Sequence, residues 1–452
     1  MNSRLFVQCT LLVAALFAGV VCARAVADEP VPSRAGVPAD GTPVEGAFAS
    51  FRTPDAKLPF ADFQAAWPGR FGFDVASPQR GVIQVLESVR RKPKGQWSQS
   101  GGETDRIEQQ AMRDQFVAGV PAAKDRNLVT TVRPGGFVVR SEAAAEGETL
   151  PRNETNSATI TMRFVSAREV AAQSSKTDSP KSLELTSTWF TVFDAADVAN
   201  SRGVAVVMPG LLGTPEGTLV ALQRRLTDRG WTVLRMVAQP SRFTQTLIAT
   251  VDPSKPEEEA ATIAERSNNG VAEIAFAVQA ATSKLEELRP HLAAKPRVIL
   301  GSSAGALTLT TVVAREPDRY FASVIVGGGC HYWLMGITSN YNDWMGLTDI
   351  TWTQEPTTQQ LRTLEDAYLR QASLDSYHTA KALHGKPVLI LQATQDLAVP
   401  SPLGDTLLER LSAAESKPER ELLPGGHEAL FAALPMQFPR ILDWIDKHVP
   451  VK

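Results

Sequence analysis

The sequence predicts an α/β protein: a mostly parallel sheet with helices on both faces, preceded by an N-terminal extension of β character. Three observations carry this. From about residue 200, short continuous apolar runs end at glycine or proline, as strands buried on both faces do. These runs alternate with longer segments of helical periodicity. A hydrophobic share of 43% and a charged share of 21% over 452 residues suffice for a large buried core.

The N-terminus reads as a secretory signal over residues 1–27. Arg4 supplies a positive charge ahead of the apolar run Leu11 to Val21, and Ala23-Arg24-Ala25 or Ala25-Val26-Ala27 offers the small residues of a cleavage site. The run is too short to span a bilayer comfortably. Val21 before Cys22 is a poor match to a lipid-attachment site, so an exported protein, periplasmic or secreted, is expected rather than a lipid-anchored one. With Cys9 and Cys22 in the signal, Cys330 is left alone. It reads as a small buried hydrophobe after a strand.

Residues 28–157 form an extension whose role the sequence does not disclose. It begins with a Pro-, Ala- and Gly-rich leader to about residue 50. Within it, Val82 to Val89 and Leu128 to Val139 are strand candidates, the second broken by Pro134-Gly135-Gly136, and Glu103 to Phe116 is a polar helical candidate. Polar stretches at Glu142 to Ala158 and Ala167 to Ser182 read as punctuation. The main domain is placed at 158–452. It opens with strands at Thr159 to Val165 and Leu183 to Phe193, where β-branched and aromatic residues alternate.

The regular part follows. Strands are expected at Val204 to Met208, Thr232 to Val237, Arg297 to Leu300, Phe321 to Val326, Pro387 to Gln392 and Glu421 to Leu423. Helices are expected at Pro215 to Asp228, Val271 to Leu288, from the Gly-Ser-Ser-Ala-Gly turn to Arg315, and at Pro439 to His448, with proline in its first turn. In such sheets ligands bind at the carboxyl ends of the strands.

The chemistry-bearing residues fall at those ends. Gly301-Ser302-Ser303-Ala304-Gly305 follows a β-branched strand and opens a helix, the context of a nucleophile elbow. Glycines flank Ser303 because a side chain at either position would clash with neighbouring elements in so sharp a turn. An ordinary strand-to-helix turn shares the pattern, so the assignment needs a base. Of six histidines, His427 alone lies in a glycine-rich loop after the last strand, Leu423-Pro424-Gly425-Gly426-His427. Asp396, after the strand ending at Gln392, supplies the acid that would orient the imidazole, although many such Asp residues only cap loops.

On these motifs, residues 200 to 450 resemble the α/β-hydrolase superfamily of serine esterases, lipases and peptidases. The chain order Ser303, Asp396, His427 agrees with it. The resemblance implies an α/β-hydrolase fold with a triad of those residues. It also implies an oxyanion hole from the backbone N–H groups of Ala304 and Leu211, with Leu212 as the fallback, in the Pro209-Gly210-Leu211-Leu212-Gly213 loop. Pro209 departs from the histidine that many members carry, and the triple-glycine loop of one lipase subfamily is absent.

Residues 327–386, between the fourth and fifth expected strands, occupy the place of a short cap insertion. Their first part is aromatic: Tyr332, Trp333, Tyr341, Trp344 and Trp352, with Met335 and Met345. Tyr332, Trp333 and Leu212 are the expected substrate-binding residues, against the plainer alternative of a cap face packing on the sheet. Thr357 to Ser373 reads as a solvated cap helix.

The expected function is hydrolysis of a carboxylic ester on a small-molecule acyl substrate, through an acyl-enzyme and without a cofactor. A peptidase or acyltransferase would use the same triad, and a catalytically dead binding protein is the rival of another class. His427-Glu428 lacks the second histidine of a zinc protease, so no metal is expected. With 46 Lys plus Arg against 49 Asp plus Glu, and a net charge of -3, nothing points to nucleic acid.

Overall fold

Each central strand is apolar on both faces because helices cover both. In the strand Gly203–Met208, the residues Val204, Val206 and Met208 enter one hydrophobic cluster, while Ala205 and Val207 enter another on the opposite face. The computed structural model describes residues 80–86, 130–133, 137–140, 160–170, 182–211, 216–237, 243, 247–342, 347–412 and 417–449. The expected signal, the leader, the helix at 103–116 and Leu212 lie outside them.

In chain order the elements begin with strands β1 (Arg80–Leu86), β2 (Thr130–Arg133), β3 (Phe137–Arg140), β4 (Ile160–Val170), β5 (Ser182–Phe193) and β6 (Gly203–Met208). Helix α1 (Glu216–Asp228), β7 (Trp231–Met236), β8 (Leu247–Val251), α2 (Pro256–Leu288), β9 (Arg297–Ser302), α3 (Ala304–Arg315) and β10 (Tyr320–Val326) follow. Then come α4 (Tyr332–Thr338), β11 (Thr348–Trp352), α5 (Thr358–Gln371), α6 (Ser376–Thr379), β12 (Val388–Ala393), α7 (Ser401–Ser412), β13 (Glu419–Leu423) and α8 (His427–His448).

Nine strands form one sheet in the order β1-β4-β5-β7-β6-β9-β10-β12-β13. The pairs from β1 to β7 are antiparallel, and those from β7 through β13 are parallel. Helices α1 and α8 cover one face, and α2, α3 and the cap elements the other. β1 lies in the stretch read as an N-terminal extension of unknown role, and it pairs with β4 along its whole length, as part of the main sheet. The hairpin β2–β3 forms a small sheet of its own.

Several boundaries differ from the sequence reading. α2 starts at Pro256 rather than Val271. Its opening, with Glu257, Glu258 and Glu259 in the first turn, suits a helix N-terminus electrostatically, and its apolar stripe there is short: Ala260, Ile263 and Ala264. α8 starts at His427 rather than Pro439. Pro435 and Pro439 are both exposed, so the backbone bonds they forfeit lie on the solvent side of the helix. β4 runs on to Val170, into a stretch read as polar punctuation. α5 is not a solvated helix: Leu364, Ala367, Tyr368 and Leu369 join the main core. The parallel pair β8–β11 was not anticipated, because two five-residue strands alternating between half-buried and exposed give little apolar signal. Among the described residues, no helix is long and apolar enough to cross a membrane.

The cap residue His378, on α6, is buried, and its Nε2–H donates to Leu369 O at 2.7 Å. Burial pushes the imidazole down to about 4 from 6.5. The unfolded chain therefore binds a proton between those values that the folded chain refuses. Stability rises with pH across that window and is lost as pH falls from about 6.5 towards 4. Urea denaturation at pH values across the window is expected to show a steeper loss for the wild type than for His378→Gln.

Candidate active site

The elbow between β9 and α3 is built by crowding. Ser303 has φ 51° and ψ −116°, a conformation L-residues rarely adopt, and only two described non-glycine residues have positive φ. A Cβ on Gly301 would stand 2.5 Å from Gly305 O, and one on Gly305 would stand 2.4 Å from Met208 O. Both flanking positions therefore admit only glycine. The strain is held by the Ser303 N–H donating to Val326 O (2.8 Å) and by Ser302 Oγ donating to Met208 O (3.2 Å). These bonds tie the turn to the strands on either side.

Ser303 Oγ–H donates to His427 Nε2 at 2.9 Å, and His427 Nδ1–H donates to Asp396 Oδ2 at 2.7 Å. The carboxylate takes Nδ1–H, so the tautomer leaves the Nε2 lone pair facing the serine. Asp396 is itself fixed, since its Oδ1 accepts from the N–H groups of Ala398 (3.0 Å) and Val399 (2.8 Å). The loops after β12 and β13 are stitched together by Thr394 N–H to Leu423 O and Gln395 N–H to Gly425 O, both 2.9 Å. Asp396 and His427 are buried, which strengthens the charge interaction formed when the imidazole is protonated. Gly327, at φ 60°, lies against the imidazole: a Cβ there would come within 3.1 Å of His427 Cε1.

The three residues expected to act together are thus brought into one hydrogen-bonded line. Leu211 and Ala304 line the same cleft as Ser303. Gly210 brings the first of them close, since a Cβ on it would be 3.3 Å from Ser303 Cβ. Ala304 opens α3, so its N–H has no acceptor within the helix.

The cleft between the sheet top and the cap is open to solvent and has a cavity volume of about 160 Å³. Tyr332 lines it, and so do Met335 and Tyr341. Trp333 does not: like Tyr332 it is buried in the main core, but it stands away from the cleft lining. For that residue the plainer alternative, a cap face packing inward, holds. Cys330 is also buried, and burial pushes its thiol up, which suits the packing role expected of it.

Sequence reasoning missed two features. Tyr341 sets its ring edge-to-face with His427 (5.7 Å between centroids), and its hydroxyl donates to Glu428 Oε1 at 3.0 Å. Burial and the Glu428 carboxylate push that phenol up, so it stays a donor at neutral pH. Phe431 closes on the imidazole at 4.9 Å. The second feature is Asp375. Its carboxylate, buried, accepts from the N–H groups of His331 (2.7 Å), Tyr332 (2.7 Å) and Tyr377 (2.9 Å) and from Tyr368 Oη–H (3.0 Å). It pins the start of α4, where His331 adopts φ 68°, and so fixes the cleft wall. Tyr341 carries no local signal, and Asp375 shows locally only as the N-cap of α6, since its His331 and Tyr332 partners are distant in sequence.

The sequence model of the prolyl oligopeptidase family matches residues 266–449. No curated protein matches the chain. Among solved structures, Est1E from Butyrivibrio proteoclasticus is 16% identical, with a TM-score of 0.36 over 62% of this chain and 98% of its own. The esterase Pf2001 of Pyrococcus furiosus is 11% identical, with a TM-score of 0.38 over 63% and 92% respectively. The acylaminoacyl peptidase of Pyrococcus horikoshii is 12% identical, with a TM-score of 0.40 over 64% and 48%.

Proposed function

From the α/β-hydrolase fold as premise, we propose that this chain is an exported serine hydrolase that cleaves a carboxylic ester through an acyl-enzyme. The observation that carries this reading is the continuous line Ser303–His427–Asp396, with its serine on a strained elbow at the floor of a cleft. Ser303 Oγ attacks the carbonyl carbon while His427 Nε2 takes its proton. Asp396 stabilises the resulting imidazolium, and the N–H groups of Leu211 and Ala304 receive the oxyanion. His427 returns the proton to the leaving alcohol. Water then enters, activated by the same imidazole, and releases the acid.

A peptidase reading draws on the family whose sequence model matches residues 266–449. The cleft favours the ester. Its described lining includes no Asp or Glu to hold a substrate's amino group, and its walls are largely apolar, with Leu211, Leu247, Leu307, Met335 and Val399.

The direct test is a fluorophosphonate probe on the purified protein, followed by p-nitrophenyl esters and aminoacyl anilides. Labelling of the wild type with loss of label in Ser303→Ala is the expected result, together with turnover of esters in preference to anilides. An unlabelled wild type would exclude the serine mechanism, and faster anilide cleavage would transfer the assignment to a peptidase.

A further inference from the structure

One wall of the cleft is the middle of a helix. Arg266, Ser267 and Gly270, all on α2, line it together with Ser303, Leu307 and Met335. At about 100° per residue, Gly270 falls between Arg266 and Ser267 around the helix axis, and so at the centre of the face turned to the cleft. A side chain at 270 would stand out from that face and lean over the preceding turn, which Arg266 and Ser267 occupy. Glycine is the poorest helix former after proline, yet this one is buried within a helix of 33 residues, well away from either end. α2 is held in place at this level, because Asn268 Nδ2–H donates to Gln371 O and Asn268 Oδ1 accepts from Leu374 N–H, both at 3.0 Å. Gly336, also in the lining, is crowded by β11, since a Cβ there would stand 2.5 Å from Thr348 Oγ1. At Gly270 the missing side chain leaves room in the cleft itself.

We propose that Gly270 is a specificity-determining residue, and that the preferred substrate is an ester with an apolar group of about six carbons, a phenyl ring or a short chain, on one side of the scissile bond. This rests on the ester-hydrolase reading above. The cavity volume of about 160 Å³ sets the size, since an apolar protein cavity of about 150 Å³ takes up benzene. Each methylene up to that size covers apolar wall supplied by Leu211, Leu307 and Val399, and further methylenes project through the open mouth and gain little. A side chain at 270 would occupy the same space and shorten the group that fits.

The test measures kcat/KM over two series. In one the acyl group grows, as in p-nitrophenyl acetate, butyrate, hexanoate, decanoate and benzoate. In the other the alcohol grows, as in the acetates of ethanol, butanol, hexanol and benzyl alcohol. In one series wild-type protein is expected to favour the six-carbon member over the two-carbon member by at least about tenfold, mostly through KM, with little gain beyond. The responding series shows which side of the ester lies against α2. Gly270→Ala is expected to lower that ratio by about fourfold, as the loss of one buried methylene would, and Gly270→Leu to abolish the preference. Because the readout is a ratio within each variant, a general loss of activity leaves it unmoved. Alanine suits a helix better than glycine, so Gly270→Ala keeps the test decisive where Gly270→Leu fails to fold. A labelled, ester-cleaving wild type with no preference for size in either series overturns the proposal, and so does a ratio that survives unchanged in the Gly270 variants that fold. Absence of both fluorophosphonate label and ester turnover overturns the hydrolase reading itself, and this proposal with it.

Discussion

Replacing Ser303 or His427 by alanine is expected to lower kcat by roughly 10⁴- to 10⁶-fold while KM changes little. The reason is in the geometry. A serine hydroxyl is a weak nucleophile at neutral pH, and in the proposed mechanism the imidazole, 2.9 Å away, removes its proton as it attacks. Neither residue is needed to fill the apolar cleft, so binding of an ester survives their removal. The two act as a unit, and the double variant should fall no further than either single one. Asp396→Ala should cost less than either, because the imidazole stays near the serine but loses the bond that sets its tautomer. Steady-state kinetics on a p-nitrophenyl ester checks all four, with circular dichroism confirming the fold. A double variant whose defect is the product of the two single defects would show that the residues act independently, against the proposed mechanism.

Asp375→Ala is expected to destabilise the protein by about 3–5 kcal/mol, a large share of what holds a domain together. The substitution leaves three backbone N–H groups and the Tyr368 hydroxyl without their acceptor inside a site that water does not reach. Each such group carries a desolvation cost of about 1–3 kcal/mol, though the costs are not additive when neighbours relax. Asp375→Asn keeps one oxygen able to accept two of the bonds, but it turns an amide donor towards two others. It should fall between wild type and alanine. Because Asp375 holds the start of α4, and Tyr332 and Met335 line the cleft, KM should rise in both variants before kcat changes. Urea midpoints and ester kinetics measure the two effects. An alanine variant as stable as wild type would mean that α4 is anchored by its apolar contacts alone.

The parallel strands were legible because burial on both faces leaves an unbroken apolar run, as in Arg297 to Leu300 before the elbow. Ser303, Asp396 and His427 were legible for a related reason. Ser303 and Asp396 each follow such a run, His427 follows the short charged strand Glu419–Leu423, and all three stand beside the glycine or turn residues that the local backbone demands. The failures share the opposite property. The first turn of α2 carries three glutamates ahead of a short stripe of Ala260, Ile263 and Ala264, the prolines of α8 masked a helix whose hidden face is intact, and β8 and β11 are short strands in which exposed residues alternate with the core-facing Leu247, Ala249, Ile350 and Trp352. Trp333 and Tyr332 are adjacent in sequence, alike in character and both buried in the core, and nothing local tells that Tyr332 lines the cleft as well and Trp333 does not.

The sequence by itself therefore determined the class of fold, the strand-and-loop order along the chain and the candidate nucleophile, base and acid, because strand burial and tight turns constrain residue type within a few positions. Tertiary structure alone decided which side chains surround them. Asp375 reaches His331 and Tyr332 across the cap, Tyr341 reaches Glu428 and His427, and Gly270 borders the cleft from a helix that begins well before the elbow. Such contacts join residues tens of positions apart, and their hydrogen bonds and charges acquire direction only when packing has brought the partners together.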